Sequence, residues 1–243
     1  MIVAAGLSPA WQQDMEFADF TPGEVNRARS VAWYGSGKVL NVGVGIDRLG
    51  GRALVIAPLG GVARMAIAAE FADLAVDARW IPTAAATRVC TTIHDRTRAQ
   101  TTELVENAGR MTAAELEHFA AEFKLHAARA ELVVLSGSLA AGTPAEFFSQ
   151  LLAETKCPAI LDLRGPELLA ALEHRPLLVK PNREELAATF NRALPDEMAV
   201  LAALHELRER GAQWAVVTDG MNPVWVASPE GTFRLVPARV EAV

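Results

Sequence analysis

Short, continuously apolar runs recur along the chain, separated by longer stretches whose apolar residues return every three or four positions. The runs Ile2–Leu7, Ala53–Leu59, Leu132–Leu135, Ala159–Leu163, Leu177–Lys180 and Trp214–Thr218 predict strands covered on both faces, since a half-exposed strand would alternate instead. The periodic stretches predict helices over Val39–Leu49, Arg64–Leu74, Ala113–Ala128, Pro144–Glu154 and Glu197–Arg210. Thr112 with Glu115, and Thr143 with Glu146, have the spacing of capping boxes, in which side chains satisfy the first-turn amides. Alternation of strand and helix predicts right-handed crossovers and a mainly parallel sheet, an α/β fold. Two stretches break the rhythm, Phe17–Tyr34 and Arg79–Val105. In the second, Arg88–His94 and Thr101–Glu106 read as two strands joined by a polar turn, a small β-flap beside the main sheet.

With 243 residues the chain suits one large domain, and with 51% hydrophobic and 21% charged residues it is not globally disordered. A net charge of −6 without a basic stripe argues against nucleic acid as a partner. Cys90 and Cys157 cannot build a disulfide framework and point to a reducing compartment. No run of about 18 uncharged apolar residues occurs, so no membrane span is expected. The first residues lack the basic segment of a signal peptide, and a cytoplasmic location is expected.

In open parallel sheets ligands sit beyond the carboxyl ends of the strands. Those ends carry Ser136-Gly137-Ser138, Asp162, Lys180-Pro181-Asn182 and Thr218-Asp219-Gly220. A buried strand must also simply end in polar residues, so each end alone allows both readings. Gly35-Ser36-Gly37-Lys38 is not a phosphate loop of the Walker type. Val39 occupies the place of the magnesium-binding hydroxyl, and Ala32 that of the first glycine. No dinucleotide fingerprint, zinc motif or nucleophile elbow is present. Glycines before a helix allow close backbone approach to a ligand, but they also make an ordinary turn followed by a solvated lysine. Asn182 and Glu185 are likewise open. Three apart on a helix, they could serve a hydrated magnesium ion, act as an N-terminal cap, or do both.

Taken in order, these segments resemble the PfkB family of carbohydrate kinases, in the ribokinase superfamily, near its 1-phosphofructokinase and tagatose-6-phosphate kinase branch. Leu7-Ser8-Pro9-Ala10 is similar to the family's opening L-N-P-A, and Pro22-Gly23-Glu24-Val25-Asn26-Arg27 to its P-G-E-V-N-R. Gly35–Val42 resembles the G-G-K-G-x-N-V sugar loop. Leu49-Gly50-Gly51, Leu59-Gly60-Gly61, Ser136-Gly137-Ser138-Leu139 with Gly142-Thr143-Pro144, and Lys180-Pro181-Asn182-Arg183-Glu184-Glu185-Leu186 follow in the family's order.

The resemblance implies a three-layer α/β/α sandwich with a mainly parallel sheet. It implies one ribokinase-like domain over 1–243, lacking the family's C-terminal part, with β-lid segments near 11–34 and 79–106. It implies transfer of the γ-phosphoryl group of ATP, with Mg2+, to a hydroxyl of a sugar phosphate. Gln12, Gly37, Lys38, Asn41 and Ser138 would meet the sugar and Arg88 its phosphate. Lys180, Asn182, Thr218, Asp219 and Gly220 would lie along the nucleotide, and Asn182 and Glu185 would serve the metal. The exposed edges of the lid lead to the expectation of a homodimer formed through it.

Several positions depart from the family. Gln12 stands where an aspartate is usual, and an amide bonds a hydroxyl without carrying charge. Val39 replaces a glycine and is expected to crowd the sugar pocket; Ala63-Arg64 replaces a Thr-Gly. The nucleotide loop Thr218–Pro223 is poor in glycine. In the family a run like Val240–Val243 is followed by G-A-G-D, which holds the general base, so the base is expected beyond Val243. A non-catalytic sugar-phosphate or nucleotide binder with a regulatory role is the alternative.

Overall fold

Every continuously apolar run is a strand in the computed structural model, which describes residues 1–238. The Val240–Val243 run lies outside the described residues. The chain divides into an N-terminal unit, Ala4–Glu122 with Leu139–Thr143, and a C-terminal unit of Met1–Val3, Phe123–Ser138 and the chain from Pro144.

The N-terminal unit runs through β1 (Ile2–Ala5, begun in the other unit), β2 (Ala10–Phe17), β3 (Ser30–Ser36), α1 (Lys38–Arg48) and β4 (Ala53–Leu59). It continues with α2 (Ala63–Ala72), β5 (Asp77–Pro82), β6 (Arg88–Asp95), β7 (Gln100–Val105) and most of α3 (Ala113–Ala127). β4 lies between β1 and β5 and is buried at every position, as its unbroken apolar run requires. Val39 and Leu40 of α1 pack with Ala4, Val55, Ala57, Ile67 and Phe71 into one core. Val39 is only 1% exposed, so it faces this core and does not crowd a pocket; two positions on a helix start suffice to turn a side chain from ligand to core.

Gly43, also on the buried face of α1, has a separate role. A Cβ there would lie 2.3 Å from the Val55 Cγ2 atom, so its missing side chain lets the helix lie close to β4.

Residues 79–82, inside the stretch expected to form the flap, belong instead to β5, which pairs parallel with β4, Leu54 opposite Asp77 through Leu59 opposite Pro82. Only Ile81 of this strand is buried, and such a half-exposed edge strand reads like a flap strand in sequence. The other flap candidates form a separate four-stranded sheet, ordered β3-β2-β6-β7. Its outer pairs are antiparallel and the central β2–β6 pair is parallel.

The C-terminal unit runs through β8 (Leu132–Ser136), α4 (Phe147–Ala153), β9 (Ala159–Asp162), α5 (Gly165–Ala171) and β10 (Leu178–Val179). α6 (Arg183–Thr189), α7 (Glu197–Glu209), β11 (Trp214–Val217), β12 (Val224–Ser228) and β13 (Gly231–Leu235) complete it. β8 to β11 are neighbours in chain order and parallel; β12 and β13 extend the sheet as an antiparallel hairpin. α7 packs on β11 and β12 through Val200, Ala203, Leu204 and Leu207.

The Thr112–Glu115 capping box forms, with both reciprocal bonds made. The Thr143–Glu146 box does not. α4 starts only at Phe147, whose amide closes a turn on the Pro144 carbonyl, and no side chain caps it. Pro144 sets a tight turn that delays the helix by three residues.

Replacing Gly43 by Ala is expected to destabilise the protein by about 1–3 kcal/mol, as overpacking against a buried valine does. Chemical denaturation should show a lower midpoint, and Val55→Ala in the same chain should restore part of it.

Candidate functional site

Gly37 joins the small sheet to α1 with φ +93°, a left-handed backbone that glycine tolerates. A Cβ there would stand 2.9 Å from the Ser8 carbonyl oxygen and 3.1 Å from the Pro9 Cα. The start of α1 is thereby held against the end of the loop that leads into β2. Just before it, the Gly35 amide donates to a Glu70 carboxylate oxygen of α2 at 2.6 Å, which fixes the loop from behind.

This turn opens a cavity of about 250 Å³ whose lining includes Gln12, Gly37, Lys38, Asn41, Arg88 and Thr92. Five of the six expected substrate-binding residues therefore line one cavity of the N-terminal unit. The sixth, Ser138, lies after β8 in the C-terminal unit.

The Arg88 guanidinium donates to the carbonyls of Ser8 at 3.0 Å, Pro9 at 3.3 Å and Glu106 at 3.1 Å. It ties β6 to the entry of β2 and to the residue after β7, leaving two of its five N–H groups outside these bonds. Gln12 is nearly buried, at 9% exposure. Its amide nitrogen donates to the Thr92 hydroxyl and to Asp14, whose other carboxylate oxygen accepts the Tyr34 phenol at 2.7 Å. Burial first, then the bond to Asp14 and the negative charges of Asp14 and Glu70, push the Tyr34 phenol up to about 12. Asp14, Thr92, Tyr34 and Glu70 were not anticipated. The signal for Asp14 was the two-residue spacing from Gln12, which is visible once 10–17 is read as a strand.

In the C-terminal unit the polar strand ends are knitted together. Lys180 pairs with Asp162 at 3.4 Å, and the Gly137 amide donates to the Asp162 carbonyl at 3.1 Å. Asn182 bridges in parallel to Thr218, whose carbonyl accepts the Arg183 amide at 2.9 Å. Asp219 pairs with Arg183 at 3.0 Å and accepts from the Asn222 amide at 3.2 Å, and Gly220 follows with φ +56°.

Asn182 and Glu185 form a full capping box. The Asn182 side chain accepts the Glu185 amide at 2.7 Å, and Glu185 accepts the Asn182 amide at 3.0 Å. The box uses one oxygen of each side chain. Among the described residues no group of three His, Cys, Asp or Glu is placed to hold a metal directly. A single carboxylate beside an amide suits magnesium, which keeps its waters and takes few protein ligands.

A family model described as pfkB family carbohydrate kinase matches residues 9–243. The chain belongs to this family. Among PfkB relatives, 1-phosphofructokinase of Escherichia coli strain K12 is 28% identical over 240 residues, 98% of this chain and 77% of that protein. The tetrameric inhibited form of phosphofructokinase-2 from Escherichia coli superposes with a TM-score of 0.90 at 26% identity, covering 99% of this chain and 80% of that one. The same enzyme in complex with fructose-6-phosphate gives 0.88 at 26% identity, covering 100% and 82%. As a PfkB kinase with an α/β fold, the chain is a carbohydrate kinase.

Tyr34 is the sole tyrosine of this chain, so its ionisation can be read directly. Spectrophotometric titration should show the phenol ionising near 12 and not near the ordinary 10. Because the folded state favours the neutral phenol, its contribution to stability is complete below pH 10 and is lost as pH rises towards about 12.

Proposed function

We propose that this kinase transfers the γ-phosphoryl group of ATP to a hydroxyl of a phosphorylated ketohexose, such as fructose 1- or 6-phosphate or tagatose 6-phosphate. The observation that carries the reading is the gathering of Lys38, Arg88, Gln12 and Asn41 around one cavity in a PfkB chain. Two cations suit a phosphate, and two amides suit hydroxyls. The relatives named for phosphofructokinase activity support the same class of substrate.

In this reading Lys38 and Asn41 hold the sugar, and the N–H groups of Arg88 outside its carbonyl bonds meet the phosphate. Gly37 leaves room for close approach of the ligand to the backbone. Lys180, Asn182, Thr218, Asp219 and Gly220 line the nucleotide. Asn182 and Glu185 hold magnesium through its waters while still capping α6. The metal, when bound, draws off charge that builds on the transferred phosphoryl oxygens. The small sheet acts as a lid that excludes water from the sugar site. ATP and sugar phosphates are cytoplasmic metabolites, and the cytoplasm is the proposed location.

ADP release, coupled to a dehydrogenase, should be seen with at least one ketohexose phosphate on the protein encoded by the whole gene. No turnover with any sugar phosphate or free sugar would sink the reading. Glu185→Gln separates the cap from the metal, because the amide oxygen can still accept the Asn182 N–H. It should leave thermal stability nearly unchanged and raise the magnesium concentration needed for half-maximal rate about tenfold, as loss of a group that holds a metal through its waters does.

We also propose a homodimer through the small sheet. β3 and β7 form its edges, and they expose Val31, Trp33, Leu104 and Val105. Sedimentation should show a dimer, and Trp33→Glu should shift it towards monomer.

A further inference from the structure

Gln12 presents a choice that its surroundings have already made. Its amide nitrogen lies 2.8 Å from the Thr92 hydroxyl and 3.1 Å from an Asp14 carboxylate oxygen, with the Gln13 carbonyl further off at 3.4 Å. A carboxylate has no hydrogen to give, so the nitrogen end of the amide, and not the oxygen end, must face Asp14. The ambiguity of an amide's two ends is thereby removed. Both amide hydrogens are engaged. Asp14 is itself held in place, since the Tyr34 phenol donates to its second oxygen at 2.7 Å. Gln12 and Asp14 are two apart on β2 and share a face; Thr92 lies opposite Asp14 on β6, and Tyr34 opposite Gln12 on β3. The Gln12 oxygen makes no hydrogen bond among the described residues, and Gln12 lines the cavity beside Lys38 and Asn41.

We infer that Asp14, with Thr92, is a positioning residue that locks the Gln12 amide with its oxygen facing the cavity, which makes Gln12 a neutral, acceptor-only contact for a ligand hydroxyl. The ligand's identity as a sugar phosphate rests on the function proposed above; the locked amide does not. The chain keeps a carboxylate on this strand face, set one pair behind the ligand contact and not at it. A carboxylate at position 12 would stand beside Asp14 and suffer its repulsion. An amide avoids that repulsion, and Asp14 supplies the direction that an amide lacks.

Asp14→Asn preserves shape but offers either end of an amide, so Gln12 is no longer forced into one orientation. The KM for the sugar phosphate should rise about fivefold, with kcat and the KM for ATP little changed, as weakening of one ordinary hydrogen bond predicts. The deciding comparison repeats Asp14→Asn in a Gln12→Asp background. There a carboxylate needs no orienting, and the substitution should leave the sugar-phosphate KM unchanged or lower it. An equal penalty in both backgrounds, or less than a twofold change in the first, overturns the inference. Should Asp14→Asn not fold, Thr92→Val removes the other amide acceptor and is expected to raise the same KM two- to threefold, no change again overturning it. Calorimetry with fructose 6-phosphate and fructose 1-phosphate on the nucleotide-free protein separates the two readings. Binding without turnover sinks the proposed kinase substrate while the Asp14→Asn comparison still decides the lock through the dissociation constant. Turnover with an unaffected Asp14→Asn sinks the lock alone, and absence of any binding sinks the sugar-phosphate reading together with the ligand contact assigned to Gln12.

Discussion

The closeness of Gly37 to the Ser8–Pro9 backbone governs the N-terminal unit. A left-handed residue with no room for a Cβ turns the chain out of the small sheet and straight into α1. From that turn the next residues diverge by helical geometry. Lys38 and Asn41 line the cavity, while Val39 and Leu40 enter the core beside β4. A side chain at 37 would push α1 away from the entry of β2, and the cavity lining and the core would both lose their register. Gly43 imposes the same demand one turn and a half further along, where α1 meets Val55.

Several polar groups of the candidate site are held by bonds to the protein itself. Arg88 holds three carbonyls around the cavity wall and still has N–H groups outside those bonds. Asn182 and Glu185 close a capping box through one oxygen each, which fixes both side chains at the start of α6. Buried polar residues behind a ligand contact must themselves be satisfied, or desolvation would unseat them. The Tyr34–Asp14–Gln12–Thr92 chain meets that requirement across three strands of one sheet.

Much of this could be read in advance, for reasons that differ by element. β4 and the helix α1 were legible because burial on both faces leaves an unbroken apolar run, and burial on one stripe leaves a helical period. The Thr112 cap was legible because it is local. The Thr143 cap was not, since Pro144 redirected the chain before the helix could start. β5 looked like part of the flap because an edge strand with one buried residue carries little pattern. α5, α6 and the β12–β13 hairpin were too short for a periodic signal, although the Pro229-Glu230-Gly231 turn marks the hairpin. Gln12, Lys38, Asn41 and Arg88, which line the cavity, were named from the family resemblance. Asp14, Thr92 and Tyr34 were missed because they touch other protein groups, and such partners leave no motif.

The sequence by itself determined the α/β class, the order of the buried strands and the longer helices, and the residue types at the candidate site, because burial pattern and short-range spacing are local properties. Only the tertiary structure decided that Val39 belongs to the core, that Arg88 is tied to three carbonyls, and that the Gln12 amide is held nitrogen-side towards Asp14. Those outcomes depend on which strands become neighbours and in what register, and pairing between residues some eighty positions apart has no trace in the spacing along the chain.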